Sequence, residues 1–205
     1  MSGAHPSWPM YGEGCQETRG YAFRPWVPAP SAHALFLAVK AIRNARQPLI
    51  LAGNGVIRGN ATDQLYHFAD KLRIPVTTTF MGMGALPADD ELFVSTTGLQ
   101  SRDYISCGFD RADLIITVGY DPVEFNPEYW DGKKEIIHIN FTAADVDKNY
   151  RALEIIGNIR DTLAILTQSL ADEKDPSLSS RMFLPSSTVL WIIPRISSFR
   201  RNWEG

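Results

Sequence analysis

The sequence predicts an α/β fold, a doubly wound and mostly parallel sheet of five to six strands with helices on both faces. Three observations lead there. Short apolar runs alternate with helical patterns along the chain. The runs end at glycines or turn residues. They are also near-continuously apolar, as strands are when both faces are covered, and they do not alternate as half-solvated strands would. Such strands, separated by helices, build right-handed βαβ units in a Rossmann-like arrangement.

The elements follow in order. Ser31 is placed to cap a first helix whose apolar positions are Ala34, Leu35, Ala38, Val39 and Ile42, running to about Ala45. Pro48 to Ala52 reads as a buried strand that runs into the glycine turn Gly53-Asn54-Gly55. Asn60 is expected to cap a helix with Leu65, Phe68, Ala69 and Leu72 on its buried face. A second strand covers about 75–78, with Pro75 at its start, where a missing donor is tolerated. A loop from Met81 to about Glu91 leads into a short extended piece at Leu92 to Val94, and Arg102 to Arg111 reads as helix. Further strands are expected near 114–118, 135–139 and 153–156. Asn158 then caps a final helix to about Leu170.

Composition divides the chain into an irregular N-terminal segment (1–30), a central domain (31–170) and a linker with an atypical tail (171–205). The first segment holds five of the 13 prolines and four of the 15 glycines without any period. The stretch from Arg181 onward carries four arginines against one glutamate. With 20 basic and 23 acidic residues the net charge is −3, which argues against nucleic acid as a partner. No apolar run approaches the ~20 residues of a membrane span. Two cysteines exclude a disulfide scaffold and fit a cytoplasmic setting.

No catalytic constellation is visible. Gly53-Asn54-Gly55 after a strand suits a phosphate held by backbone N–H groups, but Arg58 stands where the third glycine of a dinucleotide fingerprint belongs, so a structural turn is the favoured reading and a bound nucleotide the alternative. Gly119 and Asp121 follow the 114–118 strand, where ligands of open parallel sheets bind; Asp before Pro122 is also a turn former. His138 lies between Ile137 and Ile139 with no second ligand at metal spacing, and Cys107 has no placed base.

Several stretches together resemble the central domain of thiamine-diphosphate-dependent acetolactate synthases. They are Pro48-Leu-Ile-Leu-Ala-Gly-Asn-Gly55, Ile74-Pro-Val-Thr-Thr-Thr-Phe-Met-Gly-Met-Gly-Ala-Leu-Pro87 and Arg111-Ala-Asp-Leu-Ile-Ile-Thr-Val-Gly119. Gly119 to Pro127, Glu135 to Asn140 and Glu154 to Gly157 continue the resemblance. It implies a parent reaction in which two pyruvates condense to 2-acetolactate with loss of carbon dioxide, using thiamine diphosphate and Mg2+. In that family the activating glutamate and a GDG-bearing diphosphate site belong to two other domains, and no GDG occurs in this sequence. The expectation is therefore a truncated central domain, inactive alone, that associates with acetolactate synthase subunits as a homo-oligomer. The alternative is a stand-alone nucleotide- or FAD-binding or interaction module. Flavin contacts of the biosynthetic members fall on Gly53, Asn54, Gly55, Phe80, Met81, Gly82, Gly98 and Leu99. Where those members place an arginine and an aspartate, this chain has Asp121 and Asn140. The stretch Gly119-Tyr-Asp-Pro-Val-Glu-Phe125 is closer to the catabolic, flavin-independent type, so the expectation leans against FAD.

Overall fold

The computed structural model describes residues 28–97, 106–130, 134–144 and 150–171. Helix α1 (Ala32–Asn44) leads into strand β1 (Pro48–Ala52), the single-turn helix α2 (Asn54–Arg58) and helix α3 (Thr62–Leu72). Strands β2 (Val76–Thr78) and β3 (Phe93–Thr96) follow, then α4 (Ser106–Arg111), β4 (Leu114–Val118), β5 (Glu135–Asn140), β6 (Leu153–Ile156) and α5 (Ile159–Ala171). The six strands form one sheet in the order β3-β2-β1-β4-β5-β6, and every pairing is parallel. The doubly wound reading holds, and each of the five expected strands is present. The extended piece expected after the loop is β3, an edge strand with half-buried residues.

The continuous apolar runs arise because both faces are covered. Leu49 and Leu51 point to one side of β1, Ile50 and Ala52 to the other, and all four are buried. The Ile50 side packs with Val76, Ile116, Ile137 and Ile155 under α1, α3 and α5, whose contributions include Ala38, Leu65, Phe68, Ile159 and Leu163. The Leu49 side packs with Ile115, Ile136, Phe109 of α4, Tyr120 and Trp130. Each such fully buried aliphatic or aromatic side chain stabilises the fold by about 1.5–3 kcal/mol.

One cap expectation is corrected and one is met in position without a side-chain bond. Asn60 does not cap α3; it turns the corner after α2 at φ 49°, its N–H bonded to the Ile57 carbonyl, and Ala61 precedes the helix. A short side chain that tolerates the left-handed region suits that corner as well as it suits a cap. Ser31 does precede α1, but it contributes its carbonyl to Leu35 N–H and its side chain makes no cap bond. Asn158 caps α5 as expected, its Oδ1 accepting from Asp161 N–H at 3.3 Å. Residues 102–105 of the expected helix, the N-terminal segment to residue 27 and the tail from residue 172 lie outside the described residues.

The link between α1 and β1 is anchored from a distance. Asp113, just before β4, accepts from Arg46 N–H at 2.7 Å and Gln47 N–H at 2.9 Å. Two charge-assisted bonds to backbone donors are lost together in Asp113→Ala. The expected cost is about 1–3 kcal/mol, the site being exposed. Urea unfolding reads it as a lower midpoint at unchanged slope; Asp113→Asn, which keeps one acceptor, should fall between.

Candidate functional site

Strand order reverses between β1 and β4, and the loops leaving their carboxyl ends meet at that switch point, where open parallel sheets bind ligands. The meeting is backbone against backbone. Gly53 N–H donates to the Val118 carbonyl at 2.9 Å, and Gly55 N–H to the Gly119 carbonyl at 2.8 Å. A Cβ on Gly53 would lie 2.5 Å from the Gly119 oxygen, and one on Gly55 2.6 Å from the Gly119 Cα. Gly119 itself adopts φ +58°. These glycines are thus required by the close approach of two loops, whatever else they do. Two donors in the first turn of α2 are already engaged: besides the Gly55 bond, Val56 N–H reaches the Gly53 carbonyl at 3.2 Å.

The loop after β2 comes to the same place. Gly82 is buried against the Ala52 carbonyl, 2.5 Å from where its Cβ would sit, and its N–H is held by the Thr79 hydroxyl at 3.1 Å. Phe80 and Met81 turn outward, 56% and 55% exposed, so the packing-inward alternative for them fails. Gly98 and Leu99 lie outside the described residues.

After β4, Asp121 makes a turn: its Oδ1 accepts from Val123 N–H and its carbonyl from Glu124 N–H, both at 3.0 Å. Asn140, at the end of β5, commits both ends of its amide to local backbone, donating to the Tyr120 carbonyl at 3.1 Å and accepting from Phe141 N–H at 2.8 Å. The residues expected after β1 and β4 converge on a cleft of about 1380 Å³ that Asn54, Gly55, Arg58, Gly119, Asp121 and Glu124 help to line. Asp161 of α5 also reaches it. A second hollow of about 800 Å³, bordered by Tyr66, His67, Met83 and Leu86, lies between α3 and the loop after β2.

Glu124 is not among the site residues the sequence singles out, and Arg58 enters there only as a departure from the glycine fingerprint. Glu124 is half-buried and accepts a hydrogen bond from the Thr79 hydroxyl. Burial raises its pKa and the Asp121 charge adds to the rise, while the Thr79 hydroxyl and the Asn54 backbone oppose it. Its place three residues after Asp121, in the same strand-end loop, was a usable signal. Among the described residues no group of three or more His, Cys, Asp or Glu could hold a metal ion. No helix among them is long and apolar enough to cross a membrane.

Residues 36–166 match the family described as "Thiamine pyrophosphate enzyme, central domain". The chain belongs to that family. Relatives of this central domain include a probable acetolactate synthase large subunit of Methanocaldococcus jannaschii, 34% identical over 65% of the chain. The acetolactate synthase large subunit of Haemophilus influenzae is 32% identical over 62% of the chain, and the acetolactate synthase of Bacillus subtilis 31% over 63%. The chain spans about a quarter of the length of these relatives, 23%, 23% and 24% respectively. A solved Mycobacterium smegmatis structure, described as a thiamin diphosphate-dependent enzyme, superposes at TM-score 0.58. It covers 72% of this chain and 29% of its own at 23% identity, and supports the fold.

Proposed function

We propose that residues 31–170 serve as the central domain of an acetolactate synthase, an enzyme that joins two pyruvates into 2-acetolactate with release of carbon dioxide. The observation that carries the reading is the run of acetolactate synthases, 31–34% identical, that align with this domain. Thiamine diphosphate and Mg2+ belong to the reaction as the family performs it. The described residues do not fit that group, having no metal-ligating cluster, so the domain's part is to brace the segments that hold the cofactor. The exposed Phe80, Met81 and Met83 suit packing against further protein, either other parts of the enzyme or other subunits of a cytoplasmic oligomer.

The test is a chimera in which residues 31–170 replace the corresponding part of the Bacillus subtilis relative. Acetolactate formation within about tenfold of the parent supports the reading, while the chain by itself, given pyruvate, thiamine diphosphate and magnesium, stays at background. The positioning that is missing from a lone domain is worth ~7–11 kcal/mol of barrier. A folded, cofactor-loaded chimera without activity counts against the reading.

Flavin is not part of this proposal, in keeping with the catabolic type. Any small molecule entering the switch point would meet Asn54, Gly55, Gly119 and Asp121 of the expected set, whereas Gly53 and Gly82 are buried and Phe80 and Met81 do not line this cleft. Asp121 faces such a ligand with negative charge, and Asn140, unlike an aspartate, carries no charge to accept from ribose hydroxyls and is held by local backbone at both ends of its amide. Titration with FAD should give no tight binding to the unaltered chain and a gain of up to about tenfold in Asp121→Arg, because the site is exposed and screened. Micromolar FAD binding by the unaltered chain would refute the electrostatic argument.

A further inference from the structure

The loop after β4 carries a second carboxylate, and this one is fixed in place. Glu124 N–H is bonded to the Asp121 carbonyl at 3.0 Å, and its carboxylate accepts from the Thr79 hydroxyl, 45 residues away in the chain. The same Thr79 oxygen accepts from Gly82 N–H at 3.1 Å, and Thr79 is fully buried. Glu124 therefore ties the loop after β4 to the loop after β2, beside the loop after β1 that lies between them in the sheet. The charged lining of the cleft is Asp121, Glu124 and Asp161 against Arg58, with Tyr120 the other titratable group on its wall.

We propose that Glu124 is the specificity-determining residue of the switch-point cleft, a built-in anion held across its mouth that closes it to phosphate-bearing ligands such as nucleoside diphosphates. Two observations separate it from Asp121, and a third concerns the donors around it. Asp121 is exposed, so solvent and salt screen it, whereas Glu124 is partly buried and screened less. The Thr79 bond prevents the Glu124 side chain from swinging into solvent when an anion approaches. Gly55 N–H and Val56 N–H are also already bonded within the fold, so an incoming phosphate finds a fixed negative charge beside donors that are in use. The inference rests on the reading that ligands reach this domain through the switch point.

The test measures binding of FAD by fluorescence quenching, and of ADP by calorimetry, to the full chain at low salt. Thermal melts verify that each variant is folded. The unaltered chain should show no saturable binding below roughly 1 mM. Glu124→Gln removes the charge yet keeps an acceptor for Thr79, and should tighten both probes at least tenfold more than Asp121→Asn, an equal change in charge. A pH series gives a readout that loss of structure would not mimic. As Glu124 is the partly buried carboxylate whose pKa burial raises, binding to the unaltered chain and to Asp121→Asn should strengthen as pH falls below neutral, and that dependence should be absent in Glu124→Gln. Micromolar binding by the unaltered chain overturns the proposal, as does a folded Glu124→Gln that binds neither probe better or keeps the pH dependence. The chimera reads catalysis and not nucleotide binding, so either result can fail without the other.

Discussion

Gly119→Val should leave little soluble, folded protein at 37 °C. The backbone at this position sits at φ +58°, a region that costs an L-residue roughly 1–2 kcal/mol and a β-branched one more. A Cβ would then lie 2.5 Å from Val56 N, 2.6 Å from the Gly55 carbonyl carbon and 2.7 Å from the Gly55 Cα. All three are main-chain atoms and cannot rotate aside as a side-chain tip could. Relief requires the β1 and β4 loops to separate, which breaks the Gly55-to-Gly119 hydrogen bond and opens the packing between Val56 and Val118. Strain and lost contacts together exceed about 4 kcal/mol, a large share of a typical 5–15 kcal/mol total. Gly84 provides the control. It has φ +91° and nothing within 4 Å of where a Cβ would sit, so Gly84→Ala bears the conformational cost alone and should remain folded. A Gly119→Val melting curve within a few degrees of the unaltered chain would show that the loop junction does not constrain the fold in this way.

The same junction shows how far residues alone reveal this molecule. Strands were legible because β1, β4 and β5 are covered on both faces, so Leu49 to Ala52, Leu114 to Val118 and Ile136 to Ile139 are near-continuously apolar, interrupted only by Thr117 and His138. Helix faces were legible for the complementary reason that Leu65, Phe68 and Ala69 recur at helical spacing on α3. What composition and period could not convey is which loops touch. Gly53, Gly55 and Gly119 read as turn residues or a phosphate cradle, and their backbone contact 64 residues apart in the Gly55–Gly119 pair is visible only in three dimensions. Glu124 sits in the same strand-end loop as Asp121, which marks its position, but the bond that fixes it comes from Thr79 on another strand's loop and is visible only in three dimensions. Asn60 misled for a physical reason as well, since the property that makes Asn a good cap also lets it occupy the left-handed corner it fills. Resemblance supplied the family, which period and spacing could not have named.

Acid should destabilise the fold through one histidine. His138 is fully buried in β5, in register with Thr117 of β4. Its Nδ1 lies 2.8 Å from the Thr117 hydroxyl and 3.3 Å from the Tyr150 hydroxyl. Its Nε2 makes no hydrogen bond of normal geometry among the described residues, and the Tyr120 and Tyr150 rings stand edge-on to it. Taking a charged imidazolium out of water into this aromatic setting is costly, and burial lowers the pKa to about 4 against a smaller upward pull from the Thr142 backbone. The unfolded chain, with an ordinary value near 6.5, therefore binds more protons than the folded one between pH 6.5 and 4. Folding stability contributed by the neutral ring is complete above about pH 6.5 and declines as pH falls, reaching a loss of about 3 kcal/mol near pH 4. Urea midpoints measured at intervals across that range give the slope, but carboxylates also titrate there, so the difference between two proteins is the useful quantity. His138→Asn keeps an acceptor in place of Nδ1 and does not titrate; its small size creates a cavity whose cost is the same at every pH. The variant should be less stable than the unaltered chain at pH 7 and close much of that gap by pH 4. Parallel stability curves for the two proteins would mean that His138 titrates alike in the folded and unfolded chain, and that the aromatic cluster around it does not disfavour the charge.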